Sequence, residues 1–279
     1  MLTLSVLARA QNHSYTILND QVYPLLRDSY EAAKNVYTDL SRMYAIDPGE
    51  RVQFSQVALD NGDVEFYKTE TQDLIQQFGY FFRYEDTLKS PAFTALLNQH
   101  ALVDWLVAQT NERFPVWVKE NPDAFFVQQK LMSMRETNRT RIYYNQLMDY
   151  HTANNDSAGY AEVLKYARDF DFTQLYEIVK ICKVSGLPTN FDAGYASYYI
   201  LQYILINNTE DQFNFERTWH HIFPFLEKAY FDGKISNTFT RIYDEALEKH
   251  YNYQYFGTID SVEVKDPEHL AERRKKYGL

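Results

Sequence analysis

Between its turn signals this chain repeats one pattern, apolar residues at offsets of three and four, and that period commits most of the backbone to helices. In residues 16–44 the pattern runs through Leu18, Val22, Leu25, Leu26, Ala33, Val36, Tyr37 and Leu40. In residues 172–183 it runs through Phe172, Leu175, Tyr176, Val179 and Cys182. The same reading predicts helices over 71–82, 90–107, 124–150, 160–167, 195–206, 213–231 and 236–250. Breaks are expected at Asp47-Pro48-Gly49, Pro115, Asn121-Pro122, Gly186-Leu187-Pro188 and Asp232-Gly233. Pro224 falls inside a helical pattern, where its missing N–H is expected to kink or divide the helix. The fold class is therefore mainly α, a helical bundle or an irregular α-α array in two packed halves.

Two short stretches break the helical period. Residues 51–68 alternate around Asp60-Asn61-Gly62, a hairpin-turn signal, although a helix can also be drawn through 52–59. Residues 253–257 and 262–265 predict a second hairpin, followed by a terminal helix with unusually complete signals. Asp266 is the expected N-cap, Pro267 the first helical residue, and Gly278 the left-handed stop. Glu268 and Glu272 precede Arg273, Arg274, Lys275 and Lys276, the charge order that the helix dipole favours. Residues 151–159, HTANNDSAG, read as a linker, dividing an N-terminal helical region over 1–150 from a C-terminal one over 160–279.

Composition narrows the function. With 28 basic against 38 acidic residues the net charge is -10, so no global field attracts phosphate backbones and nucleic acid is not an expected partner. The single cysteine, Cys182, leaves no intramolecular disulfide and no thiolate metal site, and it suits a reducing compartment. Residues 1–13 lack a basic leader and their apolar run is broken at Arg9, which predicts a cytoplasmic location, with secretion through a processed precursor left open. The longest apolar run, 195–206, contains Gln202 and is too short to span a bilayer, so no membrane association is expected. No glycine-rich phosphate loop and no Gly-x-Ser-x-Gly elbow occur, and no cofactor is implied.

Residues 172–279 carry an ordered set of small motifs: Gly186-Leu187-Pro188, Gln202-Tyr203, Phe225-Leu226-Glu227 with Gly233, Asp244-Glu245, 254–259 (QYFGTI), Asp266-Pro267-Glu268, and Glu272-Arg273-Arg274 with Gly278-Leu279. This order resembles a bacterial family known only as a domain of unknown function, whose pattern has Gly-Trp-Pro, Gln-His, Asp-Arg, Tyr-Gly-Thr-Gln, Asp-Pro and Glu-Arg-Arg followed by Gly-Leu. Where that pattern has Trp, His, Arg and Gln, this chain has Leu187, Tyr203, Glu245 and Ile259. The resemblance thus implies a retained scaffold with a depleted polar site, keeping Asp244 and Gln254, and favours binding or structure over catalysis.

An enzymatic reading joins His220 or His221 to Asp244, Glu216 and Gln254 as an acid/base or metal constellation. No metal-ligand spacing supports it, and adjacent histidines point to different helix faces, so packing and solvation are the simpler roles. His100 and Asp104 read as a structural pair four residues apart, and the Arg273 to Lys276 run as a helix terminus. Among 24 Tyr and 19 Phe, Tyr195, Tyr198, Tyr199 and Tyr203 occupy more than one face of one helix and are the expected binding residues. The expected function is a protein-interaction module, a binder, inhibitor or immunity-type protein whose partner is basic. The alternative is a divergent enzyme or small-ligand binder with its site near Asp244, Gln254 and His220/His221.

Overall fold

The computed structural model describes residues 18–80, 91–209 and 212–279, without the side chains of Pro91, Tyr195 and residues 206–209. After an opening turn at Leu18–Leu25, the helices are α1 (Tyr30–Met43), α2 (Pro48–Asp60), α3 (Val64–Phe78), α4 (Pro91–Gln99), α5 (Val103–Glu120), α6 (Pro122–Thr137), α7 (Arg139–Ala153), α8 (Ser157–Ser185), α9 (Asn190–Ala193), α10 (Tyr198–Thr209), α11 (Gln212–Phe231), α12 (Thr238–Tyr251) and α13 (Leu270–Tyr277). The mainly helical class stands. None of these is long and apolar enough to cross a membrane.

The chain divides into two compact units that are not consecutive halves. One comprises the described residues of Met1–Gln129 with Pro188–Tyr198 and Asp232–Ile235; the other comprises Lys130–Leu187, Tyr199–Phe231 and Ser236–Leu279. Residues 151–159, expected as the linker, join α7 to α8 inside the second unit through a tight turn at 154–156. Asp156 makes that turn abrupt, since its carboxylate accepts the Gly159 amide at 2.9 Å and caps α8.

Side-chain caps also set the helices of the first unit. Ser29 accepts the Ala32 amide at 3.2 Å, Asp47 the Gly49 amide at 2.7 Å, and Asp63 the Phe66 amide at 3.2 Å. Tyr37 stacks on Phe54 with ring centroids 4.0 Å apart, and Phe66 meets both rings edge-on. A second patch gathers Leu59, Tyr67, Leu97, Leu102 and Leu106. Gly79 ends α3 in the left-handed region at φ 63°, and a Cβ there would lie 2.5 Å from the ring of buried Trp117. The returning segment closes over this end of the unit: Phe191 packs edge-on against Phe78, and Gln128 Nε2 donates to the carbonyls of Gly79 and Ala193 at 2.9 and 3.3 Å.

The second unit has an aromatic core around Trp219, Phe223, Tyr230, Phe239, Phe256 and Tyr277. Beside it lies a buried polar network. Arg141 Nε pairs with Asp171 Oδ2 at 3.1 Å, Asn214 Nδ2 donates to the same oxygen at 3.3 Å, and both members of the ion pair are almost fully enclosed. Losing either partner of such a pair leaves an uncompensated charge in the interior.

Neither expected hairpin forms among the described residues. Residues 51–68 are parts of α2 and α3, and Asn61-Gly62-Asp63 serves as a helix stop followed by an N-cap. Short apolar runs fit both periods, and here burial of Phe54, Ala58 and Leu59 on one helical face decided. In the terminal segment only an isolated bridge joins Gln254 to Val264, parallel in sense. The amides of Tyr255, Phe256 and Thr258 face a carboxylate, Asp244, in place of a strand. Pro115 does not break the chain as expected, since α5 runs through it, and Pro224 does not divide α11, which continues through it from Gln212 to Phe231. Asp266 precedes Pro267 but makes no side-chain cap; its carboxylate takes His269 and Arg273. Gly278 does close α13 at φ 65°.

Candidate functional site

The terminal segment is held by side chains whose partners are mostly backbone atoms. Asp244, fully buried on α12, accepts the amides of Tyr255, Phe256 and Thr258 at 2.7, 2.9 and 3.0 Å and the Thr258 hydroxyl at 2.8 Å. Gln254 clamps its own loop, donating to the Ile259 and Val262 carbonyls at 2.7 Å each and accepting the Ile259 amide at 2.8 Å. Arg273 donates to the carbonyls of Tyr255, Lys265 and Asp266, and Arg274 to that of Gly257. These bonds fix where Tyr253 and Tyr255 stand.

With those two tyrosines in place, an open cleft of about 520 Å³ forms in the second unit. The face of α11 carrying Phe215, Glu216, Trp219, His220 and Phe223 forms one wall, because these positions recur at offsets of three and four. Tyr243, Leu247 and Tyr251 of α12 form the second wall, and Tyr253 and Tyr255 the rim. Tyr251 stacks on Tyr253 with centroids 5.6 Å apart, and Trp219 lies 4.8 Å from Tyr243. The lining is aromatic with one ionised acid.

That acid is Glu216. The Tyr251 hydroxyl and Gln212 Nε2 both donate to its Oε1, and these bonds hold its carboxyl below the ordinary value. Burial and the adjoining Glu216 push the Tyr251 phenol up to about 12. A carboxylate beside several aromatic faces suits a cation on an apolar stem, since ring quadrupoles attract positive charge and the rings cover the methylenes.

The sequence-predicted site residues are only partly brought together. His220 and Glu216 share the cleft, whereas His221, Asp244 and Gln254 do not line it. Burial, then His220, Arg217 and Lys183, holds the His221 imidazole below its ordinary value. Asp244 and Gln254 have their polar atoms committed to the terminal loop, and among the described residues no group of three His, Cys, Asp or Glu side chains could hold a metal ion. Of the four tyrosines expected to bind, Tyr199 and Tyr203 are buried, donating to Gln174 Oε1 at 3.2 Å and to the Asp171 carbonyl at 2.7 Å, so both serve the core of the second unit. Tyr198 is partly exposed on the first unit, and the Tyr195 side chain lies outside the described residues. Of the four cleft tyrosines, 251, 253 and 255 stand at alternate positions in the sequence, a signal submerged in a chain with 24 tyrosines. Comparison with protein-family models, with curated proteins and with solved structures gives no match to this chain.

Proposed function

We propose that this chain is a protein-interaction module, without catalysis, that docks a basic segment of a partner protein in the aromatic cleft beside Glu216. The observation that carries the reading is the cleft itself, with an ionised carboxylate among seven aromatic side chains. A lysine or arginine entering it would gain a cation–π contact of about 0.5–2 kcal/mol, depending on how far it is desolvated. The net charge of -10 would steer such a partner toward the chain. The acid/base set an enzyme would need does not converge, since Asp244 and Gln254 are spent on the terminal loop. The family resemblance accords with this, because its retained Asp, Gln, Gly and Arg positions are those that hold backbone here. On that resemblance the setting is a bacterial cell, and the acidic charge and aromatic content fit a binder, inhibitor or immunity-type protein.

The test is capture with the tagged full chain from its source lysate at moderate salt, alongside Tyr253→Ala and Glu216→Lys. A stoichiometric basic partner held by the parent chain and lost from both variants is the expected result. Equal retention by the variants, or a chain that captures nothing, refutes the reading.

A further inference from the structure

We infer that the residue the aromatic cleft takes from its partner is an N-methylated lysine, whose alkylated ammonium sits among the tyrosine rings beside Glu216. This rests on the proposed docking of a basic segment and adds which cation the cleft prefers. The preference comes from how Glu216 is already used. Tyr251 and Gln212 both donate to Oε1, which fills the two lone-pair sites of that oxygen, and no described residue donates to Oε2. An arginine fork needs both oxygens of a carboxylate and finds only one open. A lysine ammonium brings three N–H donors, and Oε2 is the one charged acceptor left for them. The other polar groups of the lining, His220 and the phenols, are at best neutral acceptors, and the Tyr253 hydroxyl already accepts from Lys265 Nζ at 3.1 Å. Each methyl group replaces a donor with surface that a ring face can cover, while the positive charge is kept.

The rings are set for that contact. Tyr243 and Tyr255 meet at 82° with centroids 6.4 Å apart, Tyr251 stacks on Tyr253 at 28°, and all four are half-buried, so each keeps ring surface open. Tyr253 and Tyr255 already carry a cation each, Lys265 Nζ at 4.8 Å and the Arg273 guanidinium at 4.3 Å from the ring centroid. Neither cation lines the cleft, so the rim rings hold charge from the chain itself on their other sides. From Glu216 to Pro224 the lining follows α11 for about 12 Å, and Leu247 of α12 lines it too. That length takes the apolar stem of a lysine as well as its headgroup, which favours a side chain over a small free amine.

The probes are the N-acetyl amides of trimethyllysine, lysine and norleucine, together with choline, titrated into the full chain and read by calorimetry and by the ring resonances of Tyr253 and Tyr255. Trimethyllysine should bind about fivefold or more tighter than lysine, and tighter still than norleucine, which has the stem without the charge. Glu216→Gln, at an exposed position, should weaken trimethyllysine by roughly two- to fivefold. Tyr251→Phe keeps the ring and frees Oε1, and should narrow the preference over lysine by about twofold or more; Gln212→Ala, also exposed, should move it the same way. Lysine binding as tightly as trimethyllysine overturns the inference and leaves the docking of a basic segment standing, whereas no saturable response to either overturns both. Choline binding as tightly as trimethyllysine overturns the lysine source, and norleucine doing so overturns the role of charge. A preference unchanged in both Tyr251→Phe and Gln212→Ala overturns the filled Oε1 as its cause.

Discussion

Replacing Asp244 with alanine removes the acceptor on which the terminal segment closes. Three backbone amides and one hydroxyl lose their partner together. Tyr255 and Thr258 are only partly covered and can recover water, but Phe256 is fully buried and its amide cannot. A buried donor left unpaired costs about 1–3 kcal/mol, and the charge-assisted bonds lost at the other two sites add a further part, giving roughly 3–5 kcal/mol in all. Asparagine keeps one acceptor oxygen and turns an NH2 toward N–H donors, so Asp244→Asn should cost about 2–3 kcal/mol. Urea unfolding followed by far-UV circular dichroism measures both values, and hydrogen exchange at 255, 256 and 258 reports whether the loss is local. A cost under about 1 kcal/mol for the alanine variant would refute the assignment of Asp244 as the holding residue. So would an asparagine variant as stable as the parent with those three amides still protected.

Gly79→Ala combines a left-handed backbone with a Cβ 2.5 Å from the Trp117 ring, and should cost about 2–4 kcal/mol by chemical denaturation. Arg141→Met strands the buried Asp171 carboxylate and should cost about 3–5 kcal/mol, most of which the double variant Arg141→Met/Asp171→Leu recovers in the same assay. The Asp266 carboxylate hydrogen-bonded to His269 holds the imidazole above its ordinary 6.5, while His269 holds Asp266 below 3.8. The His269 contribution is complete below about 6.5 and fades as pH rises through its folded value; that of Asp266 is present above about 3.8 and fades as pH falls through its own. An NMR titration should place the His269 midpoint above 6.5 in the parent chain and lower it in Asp266→Asn.

What the sequence revealed follows from which forces are local. Apolar period and turn residues predicted the helices, and Asp47-Pro48 and Gly278 mark real helix ends because a cap and a left-handed stop need only neighbours. The two hairpins failed because alternation over a few residues is compatible with either period, and burial, a non-local effect, chose between them. Tyr199 and Tyr203 illustrate the same limit on the site: α10 is apolar on every side, so its sequence does not say which faces turn inward. The family resemblance singled out Asp244 and Gln254, yet their partners are backbone groups of a loop, which leave no side-chain signature. The cleft was hidden for a related reason. Its walls come from α11, α12 and the terminal segment, and only the fold brings their aromatic faces into register.

The cap of α2 has a consequence for how the chain is made. Asp47 Oδ1 accepts from Asn190 Nδ2 at 2.9 Å, between residues 143 positions apart. At a synthesis rate of about 5–20 residues per second, roughly 7–30 s separate the two residues during translation. In that interval α1, α2 and α3 can assemble, but the Asp47 carboxylate has the amides of Gly49 and Glu50 and the surrounding water as partners, without Asn190. Since folding within this unit cannot finish in the order of synthesis, the nascent chain must carry an open edge until 188–198 arrives. Slowing elongation over 130–187 should therefore lengthen the exposure of α2 and α3 to proteases and chaperones.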